Sequence, residues 1–336
     1  MSKTDSKTPT LIDVAKLAQV SVSTASKALN GRSDVSEATR SRVVAAADQL
    51  SFVPNTLAKS LLTGRTGTVG LITHDLEGRF SIPLLMGAED AFGLNKVSVL
   101  LCDARGDAIR ERYHLGVLME RRVDGLIIVG ARPDTRPSLG DIQVPVVYAY
   151  APSDDPDDCS IVSDNVGAGR IGVEHLLASG RRSIAILGGD VTYGASEERS
   201  RGAIARLAEE GLSPVGGAAL FGTWSEDWGR AAMRTVLTQH PQVDGVLCGN
   251  DQIARGALDS LRDEGRSVPR DVAVVGHDNW AILATGARPA LTSIDMNLED
   301  IGRRAAHRLA EAMEGRPSHG VEYLPPRLVV RNSSLA

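Results

Sequence analysis

Aromatic residues are scarce in this chain: four Phe, three Trp and five Tyr among 336 residues, 4% of the total. Its core must therefore come from aliphatic side chains, and 42% apolar content over this length is ample for two or three domains. Cysteine is almost absent. Cys102, Cys159 and Cys248 are odd in number, far apart and without a CxxC pair. They argue against a disulfide framework or a structural zinc site and fit a reducing cytoplasm. No apolar run reaches the ~18–20 residues of a membrane span. The polar start MSKTDSKTPT carries no secretory segment, so a cytoplasmic protein with no membrane partner is expected. Signatures of catalysis are missing too. GxxxxGK[ST], GxSxG and HExxH do not occur, and Gly167-Ala168-Gly169 lacks the third glycine of a dinucleotide fingerprint. The His residues are scattered, with no Cys or Asp at metal spacing. Asp154-Asp155 and Asp157-Asp158 sit in a Pro/Ser/Asp-rich loop and read as solvated. No enzyme activity, cofactor or metal is expected.

What is present begins with TLIDVAKLAQVSVSTASKALN, residues 10–30. Leu11, Val14, Leu17 and Ala18 recur at helical spacing, as do Val22, Ala25, Ala28 and Leu29. Thr10 with Asp13 three residues on suits an N-cap, and Ser21 suits a second. Asn30-Gly31 can end a helix in the left-handed conformation. Val20 can plug the angle between the two helices. Ser36 caps a third, with Val43, Val44, Ala47 and Leu50 facing inward. Two short helices at this spacing form a helix-turn-helix, whose second helix enters the major groove of DNA; any small helical bundle is the alternative.

Charge supports the DNA reading. Residues 1–65 hold nine Lys or Arg against five Asp or Glu, whereas the remainder holds 28 against 37. A basic head on an acidic body suits a phosphate-contacting module.

From Thr68 the pattern changes. TVGLIT, VSVLLC, GLIIVG and VPVVYAY read as strands alternating with helices at 81–94 and 109–121. The alternation restarts near residue 165 with helices at 166–178, around 198–210, from 226 and from 252. Strands SIAILGG, AALFG, DGVLCG and VAVVGHD lie between them. Apolar runs alternating with helices mean parallel sheets covered on both faces. The fold class is thus an all-α helix-turn-helix domain plus an α/β core of two doubly wound parallel-sheet subdomains. Open parallel sheets bind ligands beyond the carboxyl ends of their strands, which directs attention to His74, Asp190, Trp224, Asn250, Asp251 and Asp278.

DVAKLAQVSVSTASKALNG followed by VSEATRSRVVAAADQLSFVPNTLAKSLLTGRTGTVGLI closely resembles the N-terminal module of the LacI-type (lactose, galactose and purine repressor) family. The match is gap-free over about sixty residues and continues through the chain. The resemblance implies a periplasmic-binding-protein-like core whose C-terminal part crosses back to the first subdomain. It divides the chain into a DNA-binding domain (1–52), a hinge helix (53–65) and an effector-binding and dimerisation core (66–336). Within the core it implies subdomain 1 at 66–165 and 292–325, and subdomain 2 at 166–291 and 326–336. It places DNA contacts on Ser21, Val22, Ser23, Thr24, Lys27 and Asn30, although core packing is an alternative for Val22. In the hinge it implies that Leu61 wedges into the minor groove, with Ala58 small enough for close approach. Effector-binding roles fall on Phe80, Tyr150, Arg199, Trp224, Asn250 and Asp278. Ser81, Ala203 and His277 depart from the aromatic residues usual at those positions.

The implied function is a transcription regulator, in most cases a repressor, in the bacterial cytoplasm at the nucleoid. Its partners would be a double-stranded palindromic operator, a second copy of the chain and a small-molecule effector of carbohydrate type. Arg199 offers a planar fork of donors and Asp278 accepts from paired hydroxyls; the alternative is that the two pair with each other. A chain ending at RNSSLA without a heptad extension leads to the expectation of a dimer. A solute-binding protein and a sugar-metabolising enzyme share the α/β body and are the competing classes.

Overall fold

Side-chain caps set the first helices. In the computed structural model, which describes residues 9–29, 32, 34–52, 64–75, 79–93 and 97–335, the chain forms two compact units, Met1–Thr66 and Gly67–Ala336. In the first, α1 (Leu11–Leu17) starts at Thr10, whose backbone N–H donates to Asp13 Oδ2 at 2.8 Å, completing a capping box. α2 (Val22–Leu29) starts where Thr24 N–H donates to Ser21 Oγ at 3.0 Å, and α3 (Glu37–Gln49) is capped by Ser36. Val14, Ala15, Ala18, Ala25, Ala28, Val43, Ala46 and Ala47 form the shared core, with half-buried Val20 packed against it. Gln19, at φ 55°, turns the chain between α1 and α2. Two expected inner residues, Leu17 and Val44, are instead exposed. The core is built on small side chains, so the helices approach closely and only the innermost stripe of each is covered. Asn30, Gly31 and the expected hinge helix with Ala58 and Leu61 lie outside the described residues.

The second unit holds two sheets. The first contains β1 (Thr68–Thr73), β2 (Ser98–Asp103), β3 (Leu126–Val129), β4 (Val146–Ala149), β5 (Cys159–Ser163) and β10 (Gly320–Leu324). They run in the order β10-β5-β4-β3-β1-β2 and every pairing is parallel. The second contains β6 (Ile184–Leu187), β7 (Gly245–Cys248), β8 (Ala273–His277), β9 (Thr292–Asp295) and β11 (Arg327–Val329), ordered β11-β9-β8-β7-β6. Here β11 is antiparallel at the edge. Helices α4 (Ser81–Gly93), α5 (Ala108–Glu120) and α11 (Leu298–Met313) serve the first sheet. α6 (Asn165–Ala178), α7 (Gly194–Glu209), α8 (Glu226–Gln239), α9 (Asp251–Asp263) and the short α10 (Ala281–Ala284) serve the second.

Three segments cross between the sheets: after β5, after β9 and between β10 and β11. The second crossing corrects the expected boundary at residue 292. Thr292–Asp295 pairs with β8 in the second sheet, because Val275 and His277 offer parallel partners to Thr292 and Ile294. The chain returns to the first sheet only with α11. AALFG is no strand: Leu220 makes a single bridge to Leu187. One close approach matters for the site. A Cβ on Gly169 of α6 would collide with the Arg199 carbonyl of α7, and one on Gly202 with the Val166 carbonyl. These glycines let α7 lie against α6 with Arg199 held from behind. Ala203 is fully buried in that same contact region.

Candidate functional site

The candidate residues form two groups, one in each unit. On α2, Val22 is 43% exposed, which removes the core-packing alternative. Ser23 and Lys27 are exposed beside it, one helical turn apart. Ser21 is also exposed, but its hydroxyl is engaged in capping and lies 2.8 Å from the Thr24 hydroxyl. Thr24 is half-buried. Lys27 Nζ contacts Asp34 Oδ2 at 2.7 Å, with 51% and 54% of the two side chains exposed. That hydrogen bond holds the Asp34 carboxyl below its usual range. Arg40, which the sequence reading did not single out, donates to the Ala28 and Arg32 carbonyls at 3.1 and 2.8 Å. It ties α3 to the end of α2.

In the second unit the candidates gather around Asp278, which follows β8 with φ 94° and whose side chain is almost completely buried. A non-glycine residue in that conformation is held by its surroundings, here by its N–H donating to the Ile294 carbonyl at 2.8 Å. His277 Nδ1 lies 3.0 Å from Asp278 Oδ1. Burial, reinforced by Arg199, lowers the His277 pKa to about 4. The ring is therefore neutral at pH 7, and its Nδ1–H aims the carboxylate. Its Nε2 and the Ser196 Oγ are buried without partners, and His277, Ser196 and Arg199 line a cavity of about 20 Å³.

Arg199 is placed by its own subdomain. It donates to Asn165 Oδ1 at 3.0 Å and to the Gly249 carbonyl at 2.8 Å, and stands 4.0 Å from Asp278. The close partner of Asp278 is instead Arg79, whose Nη2 lies 2.6 Å from Oδ2. Burial pushes the Asp278 carboxyl up, but Arg79, His277 and Arg199 outweigh it and hold it below its ordinary range. Asp251, buried beside it, accepts from Trp280 N–H at 2.7 Å and from the Ser293 hydroxyl at 2.6 Å. Burial and the Asp278 charge raise its pKa to about 7.

The other expected residues fall out unequally. Phe80 and Tyr150 stack with ring centres 5.3 Å apart. Tyr150, Asn165, Glu198 and Met296 line a cleft of about 210 Å³, small beside the ~300–1,000 Å³ of typical small-molecule sites. Ser81 turns inward onto the Thr73 hydroxyl and is buried. Asn250 caps α9 by accepting from Ile253 N–H at 2.8 Å and donates to Gln252 at 3.3 Å. Trp224 packs flat on Gly189 and edge-on to Tyr193 at 5.7 Å, with its indole N–H buried and unpartnered. Sequence reasoning missed Arg79 and Trp280. Arg79 sits 5.1 Å over the Trp280 ring and 4.8 Å over Phe80. The tract LEGRFSIP marks its aromatic but not Arg79, whose partners lie far along the chain. His74 belongs to a different cluster: its Nε2 lies 2.7 Å from Glu111, which Arg136 grips through two contacts of 2.8 and 3.0 Å.

A helix-turn-helix unit and a two-sheet body with a polar crevice beyond its strand ends define a ligand-binding regulator architecture. Residues 10–55 match the family of bacterial regulatory proteins, lacI family, and residues 173–334 match the periplasmic binding protein-like domain. The HTH-type transcriptional regulator CelR of Thermobifida fusca is 35% identical over 335 residues, covering 97% of this chain and 98% of its own length. A solved complex of transcriptional regulator CelR with cellobiose is 31% identical, with a TM-score of 0.67 over 97% of this chain and 100% of that one. The lac repressor dimer bound to operator and an anti-inducer is 28% identical, with a TM-score of 0.73 over 98% and 100%. The chain belongs to the lacI family of bacterial regulatory proteins. Among the described residues, no helix is long and apolar enough to cross a membrane.

Proposed function

We propose that this protein represses transcription in the bacterial cytoplasm by binding a palindromic operator as a homodimer, one α2 per half-site. A carbohydrate held around Asp278 sets the operator affinity. The observation that carries the effector half is Asp278 itself: a buried, ionised acceptor with strained backbone, aimed by His277 and backed by Arg199. Such a carboxylate suits paired sugar hydroxyls, and Phe80, Tyr150 and Trp224 supply flat faces for C–H groups. The cellobiose complex of the CelR relative favours a sugar of this kind.

For DNA, Val22, Ser23 and Lys27 are the base-reading residues, Val meeting a thymine methyl and Lys a guanine edge. Ser21 and Thr24 brace the start of α2, and Asn30 follows it. In the tract 53–65, Leu61 enters the minor groove beside Ala58, at an unstacking cost of a few kcal/mol offset by the bend. The dimer follows from half-site symmetry; sedimentation showing only monomer on DNA would refute it. The domain reading is 1–52 for DNA, 53–65 for the hinge and the remainder for effector and pairing. The test is fluorescence anisotropy on the protein's own promoter DNA with and without sugars. Tight, sequence-selective binding that one sugar shifts is the expected result. Absence of selective DNA binding would sink the reading.

A further inference from the structure

Resting on that reading, we infer that Arg79 is a built-in occupant of the effector site, and that the effector must expel it to reach Asp278. The contacts of its guanidinium are the ones a pyranose ring would need. It is a flat, donor-rich group lying 4.8 Å over the Phe80 ring and 5.1 Å over the Trp280 ring. At its edge it meets Asp278 Oδ2 at 2.6 Å and Gln252 Oε1 at 3.4 Å. A sugar offers the same combination, an apolar C–H face toward an aromatic ring and vicinal hydroxyl donors toward a carboxylate.

The fit of Arg79 is incomplete. Its Nε is buried and finds no acceptor, and the Gln252 contact is long. A buried donor left unpaired costs free energy, so a ligand with better-placed donors gains by replacing it. Asp278 meanwhile keeps Arg199 and His277 when Arg79 leaves, so the exchange strands no charge. Arg79 precedes α4 of the first-sheet subdomain, whereas Asp278, Trp280 and Gln252 belong to the second. Expulsion therefore replaces a direct tether between subdomains by one running through the ligand. It also assigns Trp280 to the sugar-stacking surface, alongside Phe80. The ligands selected are those with at least two adjacent hydroxyls on a ring.

The test compares wild type with Arg79→Gln by titration calorimetry, using cellobiose and glucose as probes. If the free site is occupied by Arg79 nine-tenths of the time, removing it should tighten sugar binding about tenfold. Weaker or unchanged binding in Arg79→Gln would overturn the proposal, since it would make Arg79 a ligand contact or a bystander. Hydrogen exchange of the peptide spanning 278–287 in the sugar-free proteins supplies a readout that needs no ligand. Faster exchange in Arg79→Gln is expected, and unchanged exchange overturns the proposal. If neither sugar binds either protein, the carbohydrate reading fails, and the exchange result alone decides the role of Arg79.

Discussion

The exposed face of α2 and the crevice at Asp278 each carry an ion pair of nearly the same length, yet the pairs behave differently. Lys27–Asp34 spans 2.7 Å with half of each side chain in water, whereas Arg79–Asp278 spans 2.6 Å with 17% and 3% exposed. Exposed pairs contribute little because water and salt already screen the charges. Breaking a buried pair strands a charge, which costs far more than the pair itself contributes. Lys27 can therefore leave Asp34 at little cost. Asp278 keeps Arg199 and His277 when Arg79 departs, so its charge is not stranded. The exposed pair is loosely engaged, and the buried pair is held by the groups packed around it.

The largest expected effect that separates the two is Asp278→Ala. It leaves Arg79 and Arg199 without their carboxylate and should lower stability by about 3–5 kcal/mol in urea unfolding, while selective operator binding survives at low temperature. Stability within error of wild type would mean that the buried pair is no different from the exposed one.

Glu111→Gln comes next. The buried Glu111 is gripped by His74 and Arg136, whose hydrogen bonds overcome burial and hold its pKa at about 2. Because the folded value lies below the ordinary 4.5, this stability is present above about pH 4.5 and lost as pH falls toward 2. The difference corresponds to about 3 kcal/mol. Unfolding followed from pH 7 to pH 3 should show the gap between wild type and variant narrowing as acid is added. A gap independent of pH would assign Glu111 a packing role only.

Lys27→Ala should cost ~1–3 kcal/mol of operator affinity and relax preference at one base pair. Equal weakening across operator variants would make Lys27 a phosphate contact. The smallest effect is Asp34→Ala, which should leave the melting temperature unchanged and modestly strengthen operator binding by freeing Lys27. A clear loss of stability would show that the exposed pair holds the end of α2.

Local chemistry explains what could be read from the chain. Thr10, Ser21 and Ser36 bond within three residues of themselves, so their caps were visible in the sequence. Continuous apolar runs identified β1–β4 and β6–β8, but not β5, β10 or β11, and they also suggested AALFG, which is no strand. What escaped depends on partners far away in the chain. Arg79 is defined by Gln252 and Asp278, and nothing around GRF announces them. Leu17 and Val44 have helical spacing but sit one step outside the covered stripe. TSID reads as a strand, yet only its pairing with β8 reveals which sheet it joins. Of the tryptophans, Trp224 drew attention through its motif, while Trp280 is placed by Arg79 and Asp251.

The most direct test of effector control through Asp278 is an operator anisotropy titration on wild type and Asp278→Ala, run below the variant's melting range. The sugar added is the one that raises the wild-type melting temperature most. The account predicts that this sugar shifts the operator affinity of wild type and leaves that of the variant unmoved. A variant that binds operator and still responds fully to the sugar would contradict it.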